Sequence, residues 1–272
     1  MGIFDGLFKK RFPTSNNSDI RKSIKQLQAI SSTYNERSGA LTRLESFFLN
    51  SNDKNDQLAI SHALLEIVLK NPSIEIRESS LNTLDSIIDK CIQFSKHPNL
   101  STRARSGLSN IATDTASCLI KVIENDRDKN ENELRRKSFW TLQKIAPLVF
   151  DDALLSIFMN GLNDKNENIR MAAIWAFENT SRLCDDSIKK HIAEIAIQPL
   201  CQALNDSGIW VGAARTLGYL GPYAIKAVDS LYSKLDDPDG NWAANSMRKI
   251  TGADYGNKDK DGWRQWIQEH KT

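Results

Sequence analysis

Apolar residues recur at helical spacing in six segments of the chain. In the stretch DKNENIRMAAIWAFENTS, residues 164–181, a polar turn precedes apolar positions three and four residues apart, which is the spacing of a helix with one buried face. Aligning the six segments on this phase brings large apolar residues to one equivalent position: Leu44, Leu84, Leu142, Phe177, Leu217 and Met247. Successive positions lie 40, 58, 35, 40 and 30 residues apart, so the pattern predicts an irregular helical repeat.

Turn residues divide these segments into pairs of helices. Asn71-Pro72 and Gly221-Pro222 each end one helix before the next begins, and no segment alternates with period two for long enough to form a strand. The predicted pairs are 19–32 with 36–50, 55–70 with 74–95, 101–125 with 131–147, 151–163 with 167–181, 188–205 with 208–220, and 222–235 with 239–250. The predicted fold is all-α, an α-α superhelix of about six helix pairs in which each pair buries its apolar face against the next.

The two ends of the chain differ from the repeats. We predict an amphipathic or flexible segment at 1–18, a solenoid at 19–252 and a tryptophan-rich cap with a terminal helix at 253–272. In the first segment, apolar residues are followed by basic ones, and residues 3–12 suit contact with an anionic membrane surface. The same segment also suits a flap over the exposed edge of the first repeat, and both interpretations stay open.

Composition and charge exclude several classes of protein. Hydrophobic residues make up 40% and charged residues 26% of the chain, which is usual for a protein with a buried core. The net charge of +2 gives no overall excess that favours nucleic acid as a partner. The four cysteines include no CxxC pair, which predicts free thiols that pack as small hydrophobes. The chain shows neither a secretory leader nor a stretch long enough to cross a membrane, so we expect a cytoplasmic protein.

Three stretches resemble HEAT repeats: LNDKNENIRMAAIWAF, LNDSGIWVGAARTLGYLG and LDDPDGNWAANSMRKITG. Each has an apolar helix end, an Asp/Asn turn and a small-residue pair before a large apolar residue. The final run MRKITGADYGNKDKDGWRQWIQEH is similar to the closing segment of many bacterial HEAT-repeat proteins, and we expect Trp263 and Trp266 to close the end of the core. The resemblance covers residues 151–272 and extends back to residue 36. It implies a non-catalytic scaffold that binds a protein along its concave face, although a fold alone does not define a function.

The family's repeat-position arginine shows where this chain departs from the pattern. Arg37, Arg77, Arg135 and Arg170 match this position, whereas Trp210 and Gly240 occupy it in the last two repeats. The resemblance therefore implies Arg–Asp contacts between repeats that end before the fifth helix pair.

Two tryptophans occupy one repeat position that is usually polar in the family. Trp140 and Trp175 stand at this position, and the residues in register with them are Thr42, Asn82, Arg215 and Asn245. If these side chains line the groove of second helices, they form a stacking or anchoring surface for a partner. The alternative is that the two rings wedge between helices as part of the core, and the sequence leaves both hypotheses open.

A second, basic cluster is predicted on the third helix pair. Its members are Arg103, Arg105, Arg135 and Arg136, although nearby Asp and Glu residues offset their charge. We predict no catalytic residue, cofactor or metal site, because Cys184, His191 and Cys201 lie seven and ten residues apart, which matches no usual ligand motif.

Three functions from other classes remain as alternatives to the scaffold. Short HEAT-like repeats also occur in phycobilin-lyase-type enzymes that attach chromophores. Other HEAT-like proteins bind DNA, and such a protein would show binding that depends steeply on salt. The third alternative is an inhibitor or immunity protein for one cognate toxin or enzyme.

Overall fold

The computed structural model describes residues 15–29, 32–96, 101–126, 132–257 and 259–270, without the side chains of residues 101–103. In these ranges every regular element is helical, which confirms the all-α prediction. No helix among the described residues is long and apolar enough to cross a membrane. The segment predicted to meet a membrane through residues 3–12 lies outside the described residues.

The chain divides into two compact units, residues 1–149 and 150–272. The N-terminal unit holds three helix pairs: α1 (Ser18–Gln28) with α2 (Tyr34–Asn50), α3 (Lys54–Lys70) with α4 (Ile74–Phe94), and α5 (Ser101–Asn125) with α6 (Asn132–Val149). The C-terminal unit holds α7 (Asp152–Leu162) with α8 (Glu167–Leu183), α9 (Asp186–Ala203) with α10 (Trp210–Leu220), a 3₁₀ helix (Gly221–Ala227) and α11 (Val228–Tyr232) with α12 (Gly240–Thr251), and the terminal α13 (Lys260–His270).

Helix pairs stack in the same way inside each unit. The second helices of the N-terminal unit pack in the order α2, α4, α6, and those of the C-terminal unit pack in the order α8, α10, α12. The first helices pack as α1, α3, α5 and as α7, α9, 3₁₀ helix. The six apolar residues that define the repeat phase are all buried. Stacked helix pairs around such a core define the α-solenoid class, as the sequence predicts.

The first helix of the sixth pair differs from the prediction. The sequence predicts one helix over 222–235, but the structure has the 3₁₀ helix followed by the short α11. Pro222 has no N–H to donate, and the N–H of Gly221 bonds to Gly218 three residues back. Gly221 has a φ of 61°, a left-handed value that favours glycine. Ala224 also leaves helical geometry, with φ −94° and ψ 22°.

Repeat-position arginines connect neighbouring layers within each unit. Arg77 donates from Nε to the carbonyl oxygen of Val68 at 2.6 Å, and its Nη atoms bond to the Asp126 carboxylate. Arg170 donates from Nε to Asp206 Oδ2 at 2.6 Å. Where Trp210 replaces the arginine, its ring packs below Lys234, whose Nζ lies 5.9 Å from the ring centroid.

Candidate binding surfaces

The predicted binding residues of the N-terminal unit lie on its three second helices. Thr42 on α2, Asn82 on α4 and Trp140 on α6 are exposed, and Trp140 keeps 36% of its surface accessible. Thr42 donates its hydroxyl to the Ser38 carbonyl oxygen one turn earlier, at 3.1 Å. These three positions therefore present one threonine, one carboxamide and one indole along adjacent helices.

The predicted binding residues of the C-terminal unit lie on α8, α10 and α12. Trp175 keeps 40% of its surface accessible, while Arg215 and Asn245 are half-buried. Asn166 sets the start of α8, because its Oδ1 accepts bonds from the backbone N–H groups of Asn168 and Ile169 at 2.9 and 3.4 Å. The equivalent phase of the three helices places these side chains on one face.

Acidic side chains connect α2 to α4, α4 to α6 and α8 to α10 at a repeat position that the sequence analysis missed, whereas α10 has Gly218 there. Glu45, Asp85 and Glu178 stand three residues after Thr42, Asn82 and Trp175, and each crosses to the following second helix of its unit. The bonds are Ser86 Oγ to Glu45 Oε1 at 2.5 Å, Lys90 Nζ to Glu45 Oε1 at 2.9 Å, Thr141 Oγ1 to Asp85 Oδ1 at 2.8 Å, and Arg215 Nη2 to Glu178 Oε1 at 2.6 Å. The recurrence of an acidic residue at this repeat position was the sequence signal that could have indicated these bonds.

In the N-terminal unit these acids share a network with lysines. Lys144 Nζ lies 2.9 Å from Asp85 and 2.7 Å from Asp89, and Lys137 Nζ lies 3.2 Å from Glu78. Burial lowers the pKa of Lys144, but hydrogen bonds and attraction from the two aspartates outweigh it, and the pKa is raised overall. Lys144 therefore stays charged and holds α6 to α4.

The basic cluster predicted on the third helix pair does not form one surface. Arg135 is only 2% exposed and donates from Nε to the Ile123 carbonyl oxygen at 3.3 Å. Its burial corrects the prediction, because the guanidinium bonds to the first helix of its own pair and a buried group cannot meet a partner. Arg136 is bound to Glu133 by two bonds of 2.9 and 2.7 Å. Arg105 is exposed, and the side chain of Arg103 lies outside the described part of the chain.

Aromatic rings and cations alternate on the second helices of the C-terminal unit. Arg215 lies between Glu178 and the ring of Trp242, with its Cζ 4.9 Å from the ring centroid. Lys249 Nζ lies 4.2 Å from the centroid of Tyr219. Both distances are within the range of cation–π attraction. The arrangement holds two positive charges in defined positions beside accessible ring surface.

Glu178 carries a pH-dependent contribution to stability. Burial raises its pKa, and attraction to Arg215, Arg182 and Lys249 offsets only part of this. At pH values just above the ordinary pKa of a carboxyl group, Glu178 is therefore still protonated in the native state but already ionised in the unfolded chain. Stability then falls as the pH rises through this range. We expect the stability of the wild-type protein relative to a Glu178→Gln variant to decrease between pH 4 and pH 7, measured by urea unfolding. A constant difference would contradict the raised pKa.

A separate cavity lies between α9 and the 3₁₀ helix. Its volume is about 610 Å³, within the range of small-molecule sites. Ile195, Tyr223 and Ile225 line it and are exposed, and Lys190 and Lys226 add positive charge. Its lining contains none of the predicted binding residues.

The four cysteine side chains are better suited to packing than to chemical reaction. All four are free, and burial raises the pKa of Cys91 and of Cys184 to about 11. Such thiols stay protonated near neutral pH, and the protonated form is a poor nucleophile and metal ligand. Over the described residues, no group of three or more His, Cys, Asp or Glu side chains could hold a metal ion.

Comparison with solved structures supports the α-solenoid class. An engineered protein is 18% identical, with a TM-score of 0.51, and the match covers 87% of this chain and 98% of that one. A structure from work on microtubule plus-end tracking by XMAP215, CLIP-170 and EB1 is 16% identical, with a TM-score of 0.56 and coverages of 86% and 90%. A structure in which Kap95p binding induces the switch loops of RanGDP to adopt the GTP-bound conformation is 13% identical. Its TM-score is 0.50, and the match covers 92% of this chain and 38% of that one.

One helix pair of the chain matches a family model. Residues 154–184, which span α7 and most of α8, match the model of the HEAT repeat. This stretch is therefore similar to a HEAT repeat, which agrees with the resemblance seen in its sequence. No curated protein matches the chain.

Proposed function

We propose that this protein is a non-catalytic scaffold that binds a protein partner through the second helices of its two units. The observation that carries the proposal is the exposure of Trp140 and Trp175, which stand at one repeat position and keep 36% and 40% of their surface accessible. Tryptophan is enriched among the residues that dominate binding energy at protein interfaces. Two large rings at equivalent, accessible positions are better suited to a partner than to water.

The surroundings of each ring suit an interface. Thr42 and Asn82 in one unit, and Arg215 and Asn245 in the other, are polar residues at the same repeat position. An apolar anchor with a polar rim is the usual anatomy of a protein interface. The acidic bridges between second helices fix the spacing of these side chains before a partner arrives, which lowers the entropic cost of binding.

The structural matches support this proposal by analogy. Kap95p is described in a complex with RanGDP, and the plus-end tracking work concerns three named proteins. Similarity at this level of identity concerns the fold, and a fold can host unrelated functions. The proposal therefore rests on the exposed tryptophans of this chain. We also place the protein in the cytoplasm, because four free thiols suit a reducing compartment.

The test is affinity capture from a lysate of the native host with Trp140→Ala, Trp175→Ala and the double variant. Each anchoring tryptophan is expected to contribute about 2 kcal/mol or more. Each single variant should therefore bind the partner roughly thirtyfold more weakly than the wild-type protein, and the double variant roughly a thousandfold more weakly if the two contributions add. Helical content, followed by circular dichroism, should not change.

The matched control is Ile195→Ala with Tyr223→Ala, which removes exposed apolar surface from the cavity between α9 and the 3₁₀ helix. Retention of the partner by this control is expected. Unfolding of the tryptophan variants would support the core hypothesis, and unchanged capture would refute the proposal.

Absorbance after incubation with bilin and an acceptor protein tests the lyase alternative. DNA binding with a steep salt dependence would indicate the nucleic-acid alternative.

A further inference from the structure

We propose that the second-helix face of the C-terminal unit binds an acidic polypeptide segment that also carries apolar side chains. This basic face comprises Arg182, Arg215, Arg248 and Lys249 with the rings of Trp175, Tyr219 and Trp242. The inference rests on the proposed function and adds the chemistry of the partner.

The C-terminal unit separates its charges between the two kinds of helix. Residues 151–272 contain seventeen Asp and Glu against fourteen Lys and Arg, so this part of the chain is slightly acidic. Its three second helices, α8, α10 and α12, reverse this balance with five Lys and Arg against two Asp and Glu. Glu178 is paired with Arg215, and Arg170 is paired with Asp206, so Arg182, Arg248 and Lys249 carry the excess positive charge. Positive charge is therefore concentrated on the surface where we expect the partner.

The cations on this face are held in place. Arg215 is fixed between Glu178 and Trp242, and Lys249 lies over Tyr219. Arg248 donates from Nη1 to the carbonyl oxygen of Tyr255 at 2.8 Å. Cations that are already ordered lose less side-chain entropy when they meet a carboxylate. Electrostatic complementarity of this kind accelerates encounter and selects partners of opposite charge.

The aromatic rings favour a peptide with apolar residues over a purely acidic chain. Trp175 is 40% exposed, and Tyr219 and Trp242 are half-buried. Each ring combines apolar surface with a polar edge, a property that suits contact with side chains and peptide groups together. An amphipathic acidic segment satisfies both the rings and the cations.

A nucleic acid fits the same face less well. Its affinity depends on many phosphate contacts along a continuous line of charge. The face carries only a few cations on a unit with an excess of acidic residues, so a long polyanion meets repulsion beyond the face. A short peptide segment with a few carboxylates stays on the face and does not meet this repulsion.

Fluorescence polarisation of the full chain with a synthetic peptide tests the proposal. The probe is a labelled twelve-residue peptide of four Glu-Glu-Leu repeats, which at about 3.3 Å per residue can cross three helices spaced by roughly 8–10 Å. We expect binding that weakens as salt rises. A peptide of four Gln-Gln-Leu repeats should bind at least tenfold more weakly.

Two double variants with equal loss of charge locate the site. Arg182→Gln with Lys249→Gln should weaken binding of the acidic peptide roughly tenfold. Lys190→Gln with Lys226→Gln, on the cavity between α9 and the 3₁₀ helix, should leave it unchanged. All four side chains are exposed, so both variants should fold, which circular dichroism checks. Arg182→Glu with Lys249→Glu should instead bind a peptide of four Lys-Lys-Leu repeats.

The proposal would be overturned if the two glutamine double variants lost equal affinity for the acidic peptide. Equal affinity of the wild-type protein for the Glu-Glu-Leu and Gln-Gln-Leu peptides would also overturn it. A twelve-nucleotide oligo(dT) that displaces the peptide at similar concentration would overturn it in favour of a nucleic acid. If the captured partner is retained fully by Arg182→Gln with Lys249→Gln but lost by the tryptophan variants, the acidic-segment inference fails while the scaffold proposal stands. If the tryptophan variants retain the partner, the scaffold proposal fails instead.

Discussion

Replacement of Asp126 by asparagine is expected to lower the free energy of unfolding by about 3–5 kcal/mol. Asp126 is 1% exposed and accepts hydrogen bonds from two Nη atoms of Arg77, which is 6% exposed. Asparagine keeps the size of the side chain but removes its charge, and the buried Arg77 guanidinium then loses the charge of this counter-ion. Chemical denaturation followed by circular dichroism measures the effect on the N-terminal unit.

The matched control is Asp206→Asn in the C-terminal unit. Arg170 and Asp206 form the same kind of layer contact, but their side chains are 22% and 26% exposed. Water can solvate this pair after the substitution, so we expect a loss of about 1 kcal/mol or less. Similar losses at both positions would show that burial does not set the strength of these contacts.

The helices were predictable because their signals are local. The predicted helix 101–125 corresponds to Ser101–Asn125, and the predicted 167–181 corresponds to Glu167–Leu183. Long amphipathic segments bounded by turn residues leave little freedom in assignment. The 3₁₀ helix Gly221–Ala227 was not predictable in the same way. Glycine followed by proline marks where a helix ends, but it does not specify the geometry that follows.

Arg135 shows how one residue supported two conflicting predictions. Its place beside Arg136 in the predicted basic cluster suggested a basic surface, while its repeat position matched Arg77 and Arg170. The structure buries Arg135 and bonds it to the Ile123 carbonyl oxygen, much as Arg77 bonds to that of Val68. Repeat register was the better guide, because equivalent positions in stacked layers have equivalent surroundings.

The acidic bridges were harder to predict because their partners are distant in sequence. Glu45 accepts hydrogen bonds from Ser86 and Lys90, which lie 41 and 45 positions later in the sequence and on another helix. A single helical segment shows only that such an acid faces outward. Three acids at one repeat position indicate a shared role, but the bonded partner depends on how neighbouring helices pack.

These bridges connect the fold to the proposed binding surfaces. Each acid lies one turn after a predicted binding residue and ties its helix to the next one. The exposed side chains of a unit are thereby presented at fixed spacing, which a scaffold needs in order to select a partner. The roles of Trp140, Trp175 and their neighbours in register stay predictions that the capture experiment addresses.

Replacement of Trp263 by alanine is expected to destabilise the C-terminal unit by about 3–5 kcal/mol. Trp263 is fully buried, and its ring packs at an edge against Tyr255 with centroids 5.1 Å apart. The helix that carries it, α13, packs against α11. Alanine would leave a large cavity where the terminal helix covers the core. Thermal and chemical unfolding of the full chain measure the loss.

Trp266, on the same helix, provides the control. Its ring stacks on His270 with centroids 4.2 Å apart, but His270 is exposed and Trp266 is only half-buried. We therefore expect Trp266→Ala to lower stability by about 1 kcal/mol, the usual value of one aromatic contact near water. A repeat array needs a closing element because its last layer has no neighbour to cover the apolar side. If Trp266→Ala lowers stability as much as Trp263→Ala, or if neither substitution changes stability, α13 does not close the core. The apolar side of the last layer must then be covered in another way.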